Sequence, residues 1–304
     1  KILANDGIAD NGKQILENAG IEVHTTNIPQ DQLKDELKAY DAIIVRSATK
    51  ITKDIIDANT HLSMIGRAGV GVDNIEVKHA ENQGIRVINT PAAASLSVAE
   101  LTFAHMAGGV RFLHQANKEM PETGHDSFKT LKKQYADGTE LRGKTLGLIG
   151  IGRIGQETAK IAMGAGMHVL ISDPMYNEIT LELDQIPVEP KPQARFETVS
   201  NEAIFQQADF ISLHVPAMDK PLIDEGTFQQ MKAGVGLINC SRGGIIDENA
   251  LLDNLNTGHV GFAGLDVFEN EPKPNDQLLK HPRVSATPHI GASSVEGQAR
   301  VAVE

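Results

Sequence analysis

Cysteine is almost absent. Cys240 is the only one in 304 residues. No intrachain disulfide can form, which fits a reducing compartment, and the expected location is the cytoplasm. Long apolar runs are missing as well. No stretch approaches the ~18 consecutive apolar residues of a membrane span, so no membrane partner is expected. The first residues, KILANDGIAD, lack a basic region followed by an apolar run, so no signal peptide is expected. Positive charge is scarce: 28 Lys and Arg stand against 40 Asp and Glu, a net charge of -12. Nucleic acid and anionic membrane surfaces need clustered cations, so neither is expected as a partner. An anionic small molecule needs only a few local basic groups and stays open. No low-complexity tract interrupts the chain.

What is present is a rhythm. Short Val- and Ile-rich runs alternate with segments of helical period. Strands are expected at 1–4, 21–24, 42–46, 63–67 and 85–88, with helices at 12–19, 32–39 and 77–83 between them. The rhythm restarts after residue 140, with strands at 145–149, 168–172, 210–214, 236–239, 261–267 and 284–286. Five strands match the smaller doubly wound fold, and six match the larger. The expected class is therefore α/β, with two doubly wound parallel-sheet domains: a flavodoxin-like substrate domain and a Rossmann dinucleotide domain.

Asn89-Thr90-Pro91 closes the first set of strands and Ala286-Thr287-Pro288 the second. Each proline biases its neighbour toward extended backbone, so the two pairs read as a double hinge. The expected division is 1–91 with 289–304 as the substrate domain and 92–288 as the nucleotide domain. Residues 97–140 read as a helical stretch followed by a polar segment around Gly124 and Gly138. This is either a mobile loop or an arm that packs on another subunit. Residues 187–192 read as a proline-rich surface loop. The last residues, 293–304, read as the start of a helix.

Gly150-Ile151-Gly152-Arg153-Ile154-Gly155 is G-x-G-x-x-G between an apolar strand and a helical segment. Gly150 permits the tight turn, Gly152 lets backbone approach a pyrophosphate, and Gly155 lets helix and strand pack closely. The N–H groups opening the helix, from Arg153 and Ile154 onward, suit phosphate oxygens. Asp173 ends the next strand, where an acidic residue bonds ribose hydroxyls and repels a 2′-phosphate. Pro174, Met175 and Tyr176 follow without a cation, so NAD is expected rather than NADP. No metal site is expected. A second glycine cluster, Gly66 to Asn74, reads equally as a tight turn or as an anion-binding loop.

Three segments at strand ends carry the chemistry: Asn239-Cys240-Ser241-Arg242-Gly243-Gly244, Asp266-Val267-Phe268-Glu269-Asn270-Glu271-Pro272 and Thr287-Pro288-His289-Ile290-Gly291. Alone, His289 reads as a structural interdomain histidine and Arg242 as a surface ion-pair residue. Together, and behind a dinucleotide fingerprint, they resemble the D-isomer-specific 2-hydroxyacid dehydrogenase family over essentially the whole chain. Oxidation of a 2-hydroxy acid removes a hydride from C2 and a proton from its hydroxyl. A histidine titrating near neutrality suits the proton step, and His289 is the candidate. The resemblance implies that Glu271 orients the ring, and an arginine fork at Arg242 suits the substrate carboxylate. It also implies that Asp266 bonds the nicotinamide carboxamide, that His214 and Pro216 border the cofactor, and that the backbone of Val70 and Gly71 holds the carboxylate. Gly243 and Gly244 are expected to leave room for substrate. Cys240 reads as a buried strand-end residue, with a second reading as a thiol beside the nicotinamide.

Within that family the resemblance is greatest to members that oxidise D-3-phosphoglycerate in serine biosynthesis. Arg46-Ser47-Ala48-Thr49-Lys50 matches their first-domain loop, with Arg46 and Ser47 facing the substrate. Ala94 departs from the Asn that many members carry there. The resemblance implies a short form without regulatory ligand-binding domains, and a homodimer formed through the nucleotide domain. Two other readings stay open: a glyoxylate or hydroxypyruvate reductase, and an NAD(H)-sensing corepressor-like binding protein of the same fold.

Overall fold

The computed structural model describes residues 1–304. Its contacts divide the chain into two compact units, Lys1–Ser97 with Ala292–Glu304, and Val98–Gly291. The boundaries expected from the two Thr-Pro pairs lie a few residues away. Ser97 Oγ is 2.7 Å from Ser294 Oγ, which ties the start of one helix to the first unit. The N–H groups of Ile290 and Gly291 donate to Asp266, which ties the His289 segment to the second.

The first unit is a five-stranded sheet. Its strands are β1 (Ile2–Ala4), β2 (Val23–His24), β3 (Ala42–Val45), β4 (Met64–Arg67) and β5 (Arg86–Asn89), in the order β2-β1-β3-β4-β5. All pairs are parallel. This is the flavodoxin-like order. Alternate strand residues point to one face, where Leu3, Ile43, Val45 and Ile65 are fully buried. Leu33, Leu37, Ile55 and Ile56 from the covering helices pack there. Each such side chain contributes ~1.5–3 kcal/mol by leaving water.

The second unit holds β6 (Thr145–Ile149), β7 (His168–Ser172), β8 (Glu178–Glu182), β9 (Gln193–Glu197), β10 (Phe210–Leu213), β11 (Val235–Asn239), β12 (Val260–Leu265) and β13 (Val284–Ala286). Six form a parallel sheet, β13-β12-β11-β10-β6-β7. Every residue of β11 is buried, as a central parallel strand covered on both faces requires. The chain leaves β6 for β7 on one side and returns to β10 on the other. That reversal is the topological switch point, where doubly wound sheets bind ligands.

Two segments differ from expectation. Strands β8 and β9 pair antiparallel as a separate ribbon, and the proline-rich 187–192 lies in their exposed connection. The stretch around Gly124 is not a polar loop. Helix Ser95–Val110 is followed by a 22-residue helix, Leu113–Gln134, which runs through Pro121 and Gly124 and kinks at Ser127 (φ −116, ψ 16). Proline and glycine lower helix propensity, which hides this helix in the sequence. No helix is long and apolar enough to cross a membrane.

Candidate active site

The glycine loop is built as its fingerprint requires. Gly150 ends β6 with φ +95, and a Cβ there would collide with the His214 carbonyl oxygen. A Cβ on Gly155 would collide with the Gly150 carbonyl oxygen, so only glycine lets helix Arg153–Gly164 pack this close to the strand. Gly152 differs: nothing lies within 4 Å of where its Cβ would be. It is the N-cap of that helix and offers no side-chain acceptor to the first turn. An open, uncapped helix N-terminus fits a pyrophosphate. Arg153 is exposed and Ile154 half-buried in that first turn.

Asp173 ends the neighbouring β7 edge of this loop. Its Oδ2 accepts from Ile151 N–H at 2.8 Å and its Oδ1 from Met175 N–H at 2.9 Å. Two of roughly four lone-pair sites are used, so the carboxylate is anchored and still able to accept ribose hydroxyls. His214 follows β10 beside Gly150. Its Nε2 lies 3.0 Å from Ser212 Oγ, while its buried Nδ1 has no partner within the chain. Burial pushes this imidazole down to about 4. An orphaned buried nitrogen on the lip of a cofactor loop is a position for a ligand polar group. Pro216 is exposed two residues on. These features fit a dinucleotide.

The candidate catalytic side chains come together at the ends of β11, β12 and β13. His289 Nδ1 is 2.8 Å from Glu271 Oε2, with both side chains partly exposed. The other Glu271 oxygen accepts from Phe268 N–H at 3.0 Å, which fixes the carboxylate. His289 holds φ +55, a left-handed backbone uncommon outside glycine. Strain of that kind, on the order of 1 kcal/mol, persists only where the surroundings over-determine it. Asp266 supplies the determination. Only 1% exposed, it accepts from Thr287 Oγ1 at 2.6 Å, Ile290 N–H at 2.8 Å and Gly291 N–H at 2.7 Å. The expected nicotinamide ligand thus spends three of its roughly four lone-pair sites on the His289 segment.

Arg242 is half-buried after β11, and its Nη1 donates to the Ser241 carbonyl at 2.6 Å. Asn239, 2% exposed, ties this turn together by accepting from Ser241 N–H and Oγ and donating to the Arg242 carbonyl. Gly243 does not leave room for substrate. A Cβ there would collide with the Phe268 carbonyl oxygen, so the Arg242 turn packs directly on the Glu271 turn. Gly244, at φ +76, has open space around it. Cys240 is buried, and burial pushes its thiol up to about 12. It is a packed strand-end residue rather than a reactive thiol.

Sequence reasoning missed Glu248. It is the first residue of helix Glu248–Thr257, which Asp247 caps, and its Oε1 accepts from Glu269 N–H at 2.7 Å. Burial raises its carboxyl above the usual range, and the nearby Glu269 and Glu271 push the same way. The Asp247 cap was a readable signal for the helix, not for this bond.

In the first unit, the Arg46 loop follows β3. Asp6 accepts from Arg46 N–H at 2.6 Å and from Thr49 Oγ1 at 2.6 Å, and Asn74 Nδ2 donates to the Arg46 and Thr49 carbonyls. Arg46 is half-buried, with Nη1 3.4 Å from Gln298 Oε1; Ser47 and Lys50 are exposed. The Val70 carbonyl accepts from Asn89 Nδ2 at 2.6 Å, and Val70 and Gly71 sit in a partly exposed loop after β4. A cavity of about 440 Å³ in this unit has a largely apolar wall that includes Ile2, Ile44, Met64 and Ile88, with Arg46 and Arg67 also lining it.

Residues 103–291 match the model of the D-isomer specific 2-hydroxyacid dehydrogenase, NAD binding domain. The chain is 41% identical over 307 residues to the D-3-phosphoglycerate dehydrogenase of Bacillus subtilis, covering all of this chain and 55% of that protein. It is 42% identical over 311 residues to the hydroxypyruvate reductase of Thermotoga maritima, covering all of this chain and 95% of that protein. The chain thus spans about half the length of the phosphoglycerate dehydrogenases it matches. Among solved structures, the TT0316 protein from Thermus thermophilus superposes with a TM-score of 0.83 at 28% identity, covering 99% of this chain and 93% of that one. The cofactor (NAD+) bound 3-phosphoglycerate dehydrogenase of Entamoeba histolytica does so at 0.77 and 28%, covering 99% and 90%.

Proposed function

Because the chain belongs to the D-isomer specific 2-hydroxyacid dehydrogenase family and carries its NAD binding domain, we propose that it interconverts a D-2-hydroxy acid and its 2-oxo acid with NAD. The observation that carries this reading is the 2.8 Å pair of His289 and Glu271, fixed in the same unit as the glycine loop. Bound NAD supplies the hydride acceptor. His289 Nε2, opposite the nitrogen held by Glu271, takes the hydroxyl proton during oxidation and returns it during reduction. The Glu271 carboxylate orients the ring and stabilises the imidazolium. Arg242 binds the substrate carboxylate and draws charge toward the C2 oxygen.

For the substrate we infer D-3-phosphoglycerate, as part of serine synthesis. A phosphate needs cationic donors, and the Arg46–Lys50 loop, braced by Asp6 and Asn74, carries two in Arg46 and Lys50, although its Arg46, Thr49 and Lys50 N–H groups are already donated to Asp6 and Gln30. Hydroxypyruvate is the second reading. Ala94, fully buried, offers no amide to substrate, and the reductase relative is 42% identical. Steady-state rates with NADH decide between them. A kcat/KM for 3-phosphohydroxypyruvate at least tenfold above that for hydroxypyruvate supports the phosphate reading. Equal efficiencies sink it. A homodimer remains the expected assembly, and sedimentation velocity measures it.

A further inference from the structure

A buried polar chain holds the segment that carries His289, and hydride transfer itself does not use it. His105 lies on helix Ser95–Val110 and is 4% exposed. The helix passes so close to β12 at Gly264 that a Cβ there would stand 2.6 Å from His105 Cβ. His105 Nδ1 is 2.9 Å from Ser285 Oγ, and its Nε2 is 3.0 Å from Thr287 Oγ1. Thr287 Oγ1 donates in turn to Asp266 Oδ1 at 2.6 Å.

The proton positions follow by elimination. An ionised carboxylate only accepts, and Asp266 accepts from Thr287, Ile290 and Gly291. Thr287 has one hydroxyl proton, and it goes to Asp266. The Thr287 oxygen must then accept from His105, which puts the imidazole proton on Nε2. The bare Nδ1 accepts the hydroxyl proton of Ser285. Every member is satisfied by a neutral ring. Burial holds His105 below its usual range, against the pull of Asp266, which favours the neutral ring.

We propose that His105 is a positioning residue for the acid–base histidine: as the Nε2–H tautomer it orients Thr287 and Asp266, and through them the 287–291 turn where His289 takes its left-handed backbone. A fully satisfied buried network of this kind selects one backbone arrangement, because any other leaves a polar group unpaired in low dielectric. The kinetic part rests on the function proposed above; the structural part does not.

The test compares His105→Leu, which fills the space but removes both bonds, with His105→Gln, whose amide donates to Thr287 and accepts from Ser285. In His105→Leu the amides of Ile290 and Gly291 exchange with deuterium at least tenfold faster by NMR. Its kcat falls about tenfold or more, the scale expected when a catalytic group is displaced by a fraction of an ångström. His105→Gln restores both exchange and kcat. Imidazole ¹⁵N shifts of the unaltered protein report the Nε2–H tautomer, which decides the matter even if His105→Leu fails to fold. Unchanged exchange at residues 290 and 291, or an Nδ1–H tautomer, overturns the proposal. A wild-type protein that reduces no 2-oxo acid would overturn the proposed function, and exchange and tautomer would still test His105.

Discussion

His289 Nδ1 stands 2.8 Å from Glu271 Oε2, although the two are 18 positions apart and the whole of β13 lies between them along the chain. The pair is held from both sides. Phe268 N–H fixes the carboxylate, and Asp266 fixes the turn that carries the imidazole. Loss of either partner therefore has separable effects on chemistry and on cofactor binding.

His289→Ala removes the proposed proton acceptor and leaves the glycine loop intact. Turnover is expected to fall ~10²-fold or more, the usual worth of a positioned acid–base group. NADH binding, followed by fluorescence titration, is expected to stay the same. Near-normal turnover would show that His289 is not the acid–base group.

Asp173→Ala removes the acceptor that holds Ile151 N–H and that is proposed to meet the cofactor ribose. NADH affinity is expected to drop about tenfold, in line with ~1.4 kcal/mol for a charge-assisted hydrogen bond. Affinity for NADPH is expected to rise relative to NADH, because the repelling carboxylate is gone. A variant with unaltered preference would place the ribose elsewhere.

Gly243→Ala places a methyl group into the Phe268 carbonyl oxygen. Backbone cannot yield there without moving the Glu271 turn, so both melting temperature and kcat are expected to fall. Gly244→Ala is the contrast: it meets no atom but must hold φ +76, a cost of about 1 kcal/mol. Thermal melts of the two variants separate collision from backbone strain.

Stability is expected to decline as pH falls from about 6.5 to about 4. In the unfolded chain His214 titrates at its ordinary 6.5; in the folded protein burial moves it to about 4. Between those values the unfolded state binds a proton that the folded state refuses. Unfolding is thereby favoured by up to ~1.4 kcal/mol per pH unit for one proton, and no further loss accrues from this group below 4. His105 is shifted the same way by burial. Urea melts across this window should show a shallower slope for His214→Gln. An identical slope would mean that His214 is not titrating there.

Much of this protein is legible in its order of residues. β6, β7 and β13 begin and end where apolar periodicity puts them; β6, covered on both faces, is a continuous apolar run, while the edge strands β7 and β13 mix apolar with polar residues. The glycine fingerprint is equally readable, since the collisions at Gly150 and Gly155 leave no other residue type possible. Arg242, Glu271 and His289 stand out as charged groups at strand ends. The β8–β9 ribbon was present as alternation in Glu178–Glu182 and was masked by the proline-rich connection beside it. Helix Leu113–Gln134 was masked by its own Pro121 and Gly124.

Other features exist only after folding. The role of Gly243 depends on Phe268, a residue of another turn. Asp266 reads as a cofactor ligand in sequence and becomes the anchor of the His289 turn once residues 287–291 fold back over it. His105 is inconspicuous on its helix until Ser285 and Thr287 arrive from β13 and the residues after it. Hydrogen bonds reach a few ångströms and are blind to sequence separation. Local pattern therefore determined many of the strands, the glycine loop and the candidate catalytic residue types, while tertiary structure alone decided which group holds which.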